Sequence, residues 1–260
     1  ATGRLHFTTT PEPADVFIIA VQTPYRETPE KKRVSDMRFV ESAAREVGSV
    51  IRPGGLCVLE STSPPGSTRL VEQIVSEVSG LKPEEFMTAH CPERIIPGRM
   101  LLELRQNDRI IGSNRPEAAE YAKSIYEKVV TKGTIRLTDD LTAEMCKLTE
   151  NTFRDINIAY ANELSKVCDR LGIDVFRLIE LANCHPRVNV HTPGVGVGGH
   201  CIAVDPWFIH EKFEDITPLI AEARYVNDTK PEWVVERIGR DVKPGAKVAV
   251  LGMSFKANID

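Results

Sequence analysis

The sequence predicts an α/β fold with a parallel β-sheet, and the pattern of its first half carries this prediction. Short apolar runs, such as residues 15–21, are bounded by polar turns. They lack the polar alternation of half-exposed strands, which indicates strands that are buried on both faces. Amphipathic stretches of helical length separate these runs, and strands that alternate with helices form parallel sheets.

The predicted elements follow one another along the first half of the chain. The first helix places Phe39, Val40 and Val47 on one stripe, and Pro53-Gly54-Gly55 ends it. Pro64-Pro65-Gly66-Ser67 opens the second helix. The strands are predicted at residues 15–21, 56–60 and 86–90, and the helices at residues 35–51, 67–78 and 117–130.

Polar turns marked by proline follow the three predicted strands. They are Val21-Gln22-Thr23-Pro24, Ser61-Thr62-Ser63-Pro64 and Cys91-Pro92-Glu93-Arg94. One proline after a strand is ordinarily a turn device. The carboxyl ends of parallel strands lie at one edge of a sheet, however, and ligands bind there in open α/β folds. Three such turns at one edge therefore indicate a binding site.

One long helix is predicted from about residue 141 to 171, ending at Gly172. Lys147, Asn151 and Arg154 share a face of it because they are four and three residues apart. A solvated face would explain these side chains, but asparagine is a poor choice for an exposed helix. A line of hydrogen-bond donors for an anionic or hydroxyl-rich ligand is the other explanation.

Residues 193–206 contain four glycines, and Gly194-x-Gly196-x-x-Gly199 matches the dinucleotide-binding fingerprint. That fingerprint needs a buried strand before it and a helix that opens at it. Residues 187–193 do not read as a strand, and residues 202–206 look too short and proline-bounded for a helix. We therefore reject the interpretation as a cofactor loop.

A thiol is the alternative feature of this loop. Cys201 follows the glycines after His200, and Asp205 lies four residues later. Glycines allow backbone amides to approach a ligand closely, and amide donors or positive charge turn a thiol into a nucleophile. A buried structural cysteine is the commoner case, but the Gly-Gly-His-Cys turn favours a site.

Composition limits the classes of function. The 260 residues are 42% hydrophobic and 27% charged, as in ordinary globular proteins, with a net charge of −4 and no basic block. We therefore expect no nucleic-acid or membrane partner, and neither a membrane span nor a secretion leader is visible. The six cysteines form no Cys-x-x-Cys pair, which predicts reduced thiols in the cytoplasm and no metal site.

Six ordered motifs resemble the UDP-glucose/UDP-N-acetylmannosamine dehydrogenase family. They are Val21-x-Thr23-Pro24, Ser61-Thr62-x-Pro64, Cys91-Pro92-Glu93-Arg94, Lys147-x-x-x-Asn151-x-x-Arg154-x-x-Asn157-Ile158-Ala159, Gly198-Gly199-His200-Cys201-Ile202-x-x-Asp205-Pro206 and Gly252-x-x-Phe255-Lys256. The resemblance covers nearly the whole chain. It implies an incomplete N-terminal Rossmann-like domain that binds NAD, a long central helix, and the start of a second Rossmann-like domain that binds UDP.

The resemblance divides the chain into three regions. Residues 1–140 would be the remainder of the NAD-binding domain, residues 141–235 a central helical domain with the cysteine loop, and residues 236–260 the beginning of the UDP-binding domain. The apolar run of residues 247–252 reads as the first strand of that last domain. The chain is therefore expected to be a fragment of a longer protein.

The reaction that the resemblance implies is a four-electron oxidation of a sugar C6 alcohol to a carboxylate by two NAD. Cys201 would add to the intermediate aldehyde, and the thiohemiacetal would give up a second hydride to become a thioester. Lys147 and Asn151 would donate to the developing oxyanion. Asp205 and Glu93 would orient or deprotonate the hydrolytic water.

Binding roles also follow from the resemblance. Arg187 is expected to reach a neighbouring subunit of a homodimer or a higher homo-oligomer. Cofactor contacts fall on Val21, Thr23 and Thr62. Substrate contacts fall on Arg94, Ile95, Lys147, Asn151, Arg154, His185, Arg187, Gly196, Phe255 and Lys256. The implied role is the synthesis of a sugar acid for polysaccharides.

One departure from the family pattern bears on the sugar. UDP-glucose dehydrogenases typically carry a second glutamate four residues after the position of Glu93, where this chain has Pro97. With His185-Pro186-Arg187 and Trp207, this favours a UDP-N-acetylhexosamine, first UDP-N-acetyl-D-mannosamine, then UDP-N-acetylglucosamine and UDP-glucose. A non-catalytic sugar-nucleotide-binding module is one alternative. A 6-phosphogluconate-type or 3-hydroxyacid dehydrogenase, which uses a helix lysine without a thiol, is another.

Overall fold

The computed structural model describes residues 5–30, 32–96 and 98–251. The chain forms two compact units. The first contains the described residues of 1–26 and 35–147, and the second contains those of 27–34 and 148–251. The three predicted regions have different boundaries from these units and stay a prediction.

Seven strands and eight α-helices make up the described chain. The strands are β1 (Val16–Ile19), β2 (Tyr25–Glu27), β3 (Arg33–Ser35), β4 (Leu56–Leu59), β5 (Met87–His90), β6 (Arg109–Gly112) and β7 (Ile135–Thr138). The helices are α1 (Arg38–Val50), α2 (Ser67–Ser79), α3 (Met100–Gln106), α4 (Pro116–Tyr126), α5 (Asp140–Leu171), α6 (Val175–Ala182), α7 (Asp205–His210) and α8 (Pro218–Asp241).

The first unit is built on a five-stranded sheet with the order β1-β4-β5-β6-β7. The predicted parallel pairing is confirmed for β1–β4 and β4–β5. Strands β6 and β7 also pair parallel, whereas β5 and β6 pair antiparallel at His90 and Gly112. All four residues of β4 are buried, as a central parallel strand requires. Strands β6 and β7 were not predicted because Arg109 begins the first of these short runs and Arg136 interrupts the second.

Helices cover both faces of this sheet. On one face Val40 and Val47 of α1 pack with Leu59 and Phe86 in a buried cluster. On the other face α4 contributes Ala119, Ala122 and Tyr126 to a second cluster around the same central strands. The sheet edges that carry the polar turns are therefore held by two separate apolar layers.

In the second unit, the long helix α5 ends at Gly172, which adopts φ +67°. The predicted extent and the glycine end are both confirmed. The side chains of α5 do not divide simply into an exposed polar face and a buried apolar one. Val167 is exposed, as are Phe153 and Tyr160, while Asp155 is completely buried. Polar contacts with α8, described below, account for this burial.

The last described residues form no strand. Residues 246–251 have no pairing partner in the described chain, so the strand predicted at residues 247–252 is not found there. A strand needs a neighbour to satisfy its backbone hydrogen bonds. Gly252, Phe255 and Lys256 lie outside the described residues. Within the described ranges, no helix combines the length and the apolar character needed to cross a membrane.

The buried His90 predicts a pH dependence of the first unit. Burial lowers the pKa of His90 to about 4. The imidazole therefore becomes protonated near pH 6.5 in the unfolded chain but only near pH 4 in the folded chain. Stability should therefore fall as the pH drops through this window, by up to roughly 3 kcal/mol.

Calorimetry from pH 7 to pH 4 tests this expectation with His90→Gln. The variant should lose most of the decline in unfolding temperature, whereas His6→Gln, at an exposed histidine, should keep it. An unchanged decline in His90→Gln would show that the burial of His90 is not its cause.

Candidate functional site

Cys201 is exposed and lies four residues before the first residue of α7. Its carbonyl accepts the N–H of Asp205 at 2.9 Å, and Nδ1 of His200 lies 3.5 Å from its Sγ. Burial does not shield this thiol from solvent. The alternative of a buried structural cysteine is therefore wrong for Cys201.

The helix at Asp205 corrects one expectation. Residues 202–206 were predicted to be too proline-bounded for a helix, but Pro206 stands in the first turn of α7. A proline fits there because that N–H has no partner within a helix. Residues 187–193 form no strand, so the glycine run still lacks the strand of a dinucleotide fingerprint.

Asn151 and Asp205 meet in the second unit. The side-chain amide of Asn151 donates to Oδ2 of Asp205 at 2.5 Å, and both residues are buried. Asn151 comes from α5, and Asp205 follows Cys201 by four residues. Lys147 is half-buried one turn earlier on α5, and Arg154 is exposed. The structure therefore brings two of the predicted catalytic residues together beside the thiol loop.

Gly196 has a packing role. It adopts φ +153°, and a Cβ built there would lie 2.9 Å from Cγ of Pro231 in α8. A larger residue would push the loop away from the helix. This contact explains the glycine by itself, and the predicted role of Gly196 in substrate binding stays a prediction.

The predicted cofactor residues lie at the ends of β1 and β4 in the first unit. The hydroxyl of Thr23 donates to the carbonyl of Thr62 at 2.6 Å. Ser61 exchanges two hydrogen bonds with the backbone of Val21, at 2.8 and 2.7 Å. The two turns are thus joined into one polar edge, and their role in binding a cofactor stays a prediction.

Glu93 is engaged within its own turn in the first unit. Its carboxylate accepts the N–H groups of Arg94 and Ile95, at 2.6 and 2.9 Å, and the guanidinium of Arg109 at 2.8 Å. Arg94 itself donates to the carbonyl of Asp108 at 3.0 Å. These bonds give Glu93 a clear part in shaping the turn, while its role with water is untested.

Glu144 was missed by the sequence analysis. Its carboxylate accepts the N–H of Gly66 at 2.6 Å, and the N–H and hydroxyl of Thr68 at 2.7 and 2.6 Å. Gly66 has no side chain that could cap α2, so Glu144 caps the helix from 78 positions away. Arg69 pairs with Asp140 beside it, at 2.7 Å. No local sequence pattern predicts that so distant a residue caps this helix.

His185 and Arg187 lie on an exposed turn of the second unit. Asn183 closes this turn, donating to the carbonyl of Val190 at 3.0 Å and accepting its N–H at 2.7 Å. The turn is thus a defined loop that presents both predicted substrate residues to the outside. Their contact with a substrate or a neighbouring subunit is not tested.

A cavity of about 540 Å³ lies in the second unit and was not anticipated. Trp207 forms part of its wall, and the guanidinium of Arg33 stacks 4.9 Å from the ring centroid. Arg33 pairs with Asp228 at 2.5 Å, and Lys32 pairs with Glu214 at 2.7 Å. The basic side chains of the cavity are therefore already matched by carboxylates.

The fold and the site together define the class of the protein. A mostly parallel α/β sheet with polar strand ends forms one unit, and a long helix with a cysteine loop forms the other. Comparison with known proteins then places the chain. It belongs to the UDP-glucose/GDP-mannose dehydrogenase family, because residues 1–130 match the NAD binding domain of this family and residues 141–229 match its central domain.

Individual relatives support the same placement. The chain is 49% identical over 271 residues to an NDP-N-acetyl-D-galactosaminuronic acid dehydrogenase of Ralstonia nicotianae, covering 99% of the chain and 62% of that protein. It is 47% identical over 268 residues to a UDP-N-acetyl-D-mannosamine dehydrogenase of Campylobacter jejuni, covering 99% and 65%. The chain thus spans less than two thirds of these relatives.

A solved structure is also similar. The UDP-N-acetyl-mannosamine dehydrogenase from S. aureus superimposes with a TM-score of 0.86 at 42% identity, covering 97% of this chain and 60% of that one. The resemblance inferred from the six motifs is thereby confirmed at the level of the family and the fold.

The bond between Asn151 and Asp205 should stabilise the second unit. Asn151→Ala removes a buried hydrogen bond to a carboxylate and should lower the free energy of unfolding by about 1–3 kcal/mol. Both tryptophans, Trp207 and Trp233, belong to the second unit. Their fluorescence in a urea titration therefore reports that unit.

Asn157→Ala is the matched control, since within the described residues its amide bonds to a carbonyl of its own helix, at 2.8 Å. It should change the free energy of unfolding by less than about 0.5 kcal/mol. Equal losses in the two variants would contradict a specific role for the bond to Asp205.

Proposed function

We propose that the protein containing this chain is an NAD-dependent UDP-N-acetylhexosamine 6-dehydrogenase that forms the uronic acid through Cys201. The observation that carries the proposal is an exposed Cys201 four residues before Asp205, whose carboxylate is held by Asn151. A thiol loop tied to a donor-bearing helix suits addition of sulfur to an aldehyde. UDP-N-acetyl-D-mannosamine is the favoured substrate.

The reaction balances with two equivalents of NAD, which accept the two hydrides. The primary alcohol first loses a proton and a hydride and becomes an aldehyde. The sulfur of Cys201 bonds to the aldehyde carbon. The thiol proton passes to the aldehyde oxygen, which becomes the hydroxyl of a thiohemiacetal. Loss of a second hydride and a proton gives a thioester, and water cleaves the carbon–sulfur bond to release the carboxylate and the thiol.

Asn151 suits stabilisation of the oxyanion that develops when the thiol adds. Its amide nitrogen carries two hydrogens, and one of them is given to Asp205. That bond fixes the direction of the second N–H. Lys147, one turn earlier on α5, supplies a cationic donor. Each such donor contributes roughly 3 kcal/mol to the stabilisation of the transition state.

The strand-end turns of the first unit suit a dinucleotide. Val21, Thr23 and Thr62 are partly exposed at adjacent strand ends, where open α/β sheets bind their cofactors. Thr23 and Thr62 are bonded to each other, so the turn geometry is set before any ligand arrives. We propose these residues as contacts of NAD.

A homo-oligomer is part of the proposal. Phe153, Tyr160 and Val167 are exposed on α5 at intervals of seven residues, so they form one apolar stripe. Burial of this stripe against a second copy would remove it from water. Arg187, exposed on its turn, is the proposed contact between subunits.

Cys201→Ser tests the mechanism in the full-length protein. Parent enzyme should form two NADH per UDP-N-acetyl-D-mannosamine, while the variant should form no acid because a hydroxyl is a far weaker nucleophile than a thiol. Cys184→Ser, at the other exposed cysteine, should keep the parent stoichiometry. Acid production by Cys201→Ser at the parent rate would overturn the mechanism, and one NADH per substrate in the parent would favour a two-electron dehydrogenase.

A panel of sugar nucleotides tests the substrate. The relatives carry the names NDP-N-acetyl-D-galactosaminuronic acid dehydrogenase and UDP-N-acetyl-D-mannosamine dehydrogenase. The panel therefore contains UDP-N-acetylmannosamine, UDP-N-acetylglucosamine, UDP-N-acetylgalactosamine and UDP-glucose. We expect the highest kcat/KM for UDP-N-acetylmannosamine. UDP-glucose should be at least about tenfold worse, because a site that bonds the acetamido group leaves its polar atoms unpaired without it. A preference for UDP-glucose would refute the assignment to N-acetylhexosamines.

A further inference from the structure

Helix α5 holds the cysteine loop at two points. Asn151 donates to Asp205, four residues after Cys201. Asn162 accepts the backbone N–H of Gly194, seven residues before Cys201, at 2.9 Å. The two asparagines are eleven residues apart on one helix, a rise of about 16 Å. The segment that carries the thiol is therefore fixed at both of its ends by the same rigid element.

The orientation of Asn162 is fixed by a second amide. Its Nδ2 donates to Oδ1 of Asn227 on α8 at 2.8 Å, and Nδ2 of Asn227 donates to Oδ1 and to the carbonyl of Asp155, at 2.8 and 3.0 Å. Asn162 and Asn227 are completely buried. Because the nitrogen of the Asn162 amide donates and its oxygen accepts, a rotation that exchanges the two atoms would break both hydrogen bonds. The acceptor offered to Gly194 is thus held in one direction.

An ion pair anchors this chain of amides. Arg224 donates to Oδ1 of Asp155 at 2.6 Å, and neither residue is exposed. Arg224 also donates to Asp228 one turn later. Hydrogen bonds to ionised groups are about twice as strong as neutral ones. The chain from Gly194 to Asp155 therefore ends on a charged group that polarises it.

The cysteine loop also packs against α8, where Gly196 faces Pro231. Pro231 has no N–H to donate to the carbonyl of Asn227, four residues before it. Gly196 packs there, and a Cβ on it would lie 2.9 Å from Pro231 and 3.5 Å from that carbonyl. The contact with Pro231 and the bond to Asn162 fix the loop at two neighbouring residues.

We infer that Asn162 is a positioning residue for the nucleophile, acting through Gly194 on the placement of Cys201. The inference rests on the proposed role of Cys201. The first hydride transfer, from the alcohol, needs no thiol, whereas the second requires sulfur to reach the aldehyde. Loss of the bond between Asn162 and Gly194 should therefore slow the second oxidation selectively, and free aldehyde should accumulate.

Two variants of the full-length protein remove this bond from opposite sides. Asn162→Ala deletes the acceptor, with Asn157→Ala on the same helix as its reference. Gly194→Pro deletes the N–H donor on an exposed part of the loop, with Gly194→Ala as its reference. A Cβ at Gly194 meets nothing closer than 3.8 Å. Gly194→Pro leaves the buried side chains of α5 and α8 unchanged, so it gives a result even if Asn162→Ala does not fold.

The measured quantity is the ratio of trapped aldehyde to acid, with semicarbazide as the trap and UDP-N-acetyl-D-mannosamine as the substrate. Relative to their references, both variants should raise this ratio and lower the rate of acid formation by about ten- to a hundredfold, the range for a misplaced reactive group. The KM for NAD should stay within about twofold. General destabilisation would lower aldehyde and acid together and leave the ratio unchanged.

The outcomes distinguish the positioning role of Asn162 from the proposed role of Cys201. If Gly194→Pro and a folded Asn162→Ala keep the ratio of their references, the positioning role is refuted. If Cys201→Ser still forms acid, the proposed function itself fails, whatever the two positioning variants do. A raised ratio in both positioning variants, with acid formation abolished in Cys201→Ser, supports both.

Discussion

The side-chain bonds between the long helix and the cysteine loop organise the second unit. Asn151 and Asn162 lie on a helix that buries polar as well as apolar side chains toward its neighbours. Each buried amide must find a partner or lose about 1–3 kcal/mol. That requirement gives the loop one allowed position. The exposed Cys201 therefore sits on a short segment whose two ends cannot shift independently.

In the first unit, a buried carboxylate holds the polar turn before α2. The turn before α2 contains Gly66, which adopts the left-handed conformation and offers no capping side chain. Glu144 supplies the acceptor instead, and burial raises its pKa while the bonds from Gly66 and Thr68 act in the opposite direction. The polar turn at the strand end is thus fixed by a residue far away in sequence. Both units hold their candidate ligand-facing loops by buried polar groups on α5.

Local sequence patterns predict several of the strands and helices. The apolar runs predict β1, β4 and β5, since these strands are buried on both faces, and the stripe of Val40 and Val47 predicts α1. Strand β6 was missed because it is four residues long and begins with Arg109, whose charge Glu60 and Glu93 match in the folded chain. Helix α7 was missed because a proline that ends most helices can also begin one.

The sequence by itself determined the class of fold, the extent of α5 and the residue types of the candidate site, because periodicity and motif order are local properties of the chain. Only the tertiary structure decided that Asn151 bonds to Asp205, that Glu144 caps α2 and that Asn162 holds Gly194. These contacts join residues 32 to 78 positions apart. Their partners are selected by burial and hydrogen-bond geometry, which exist only after the elements have packed.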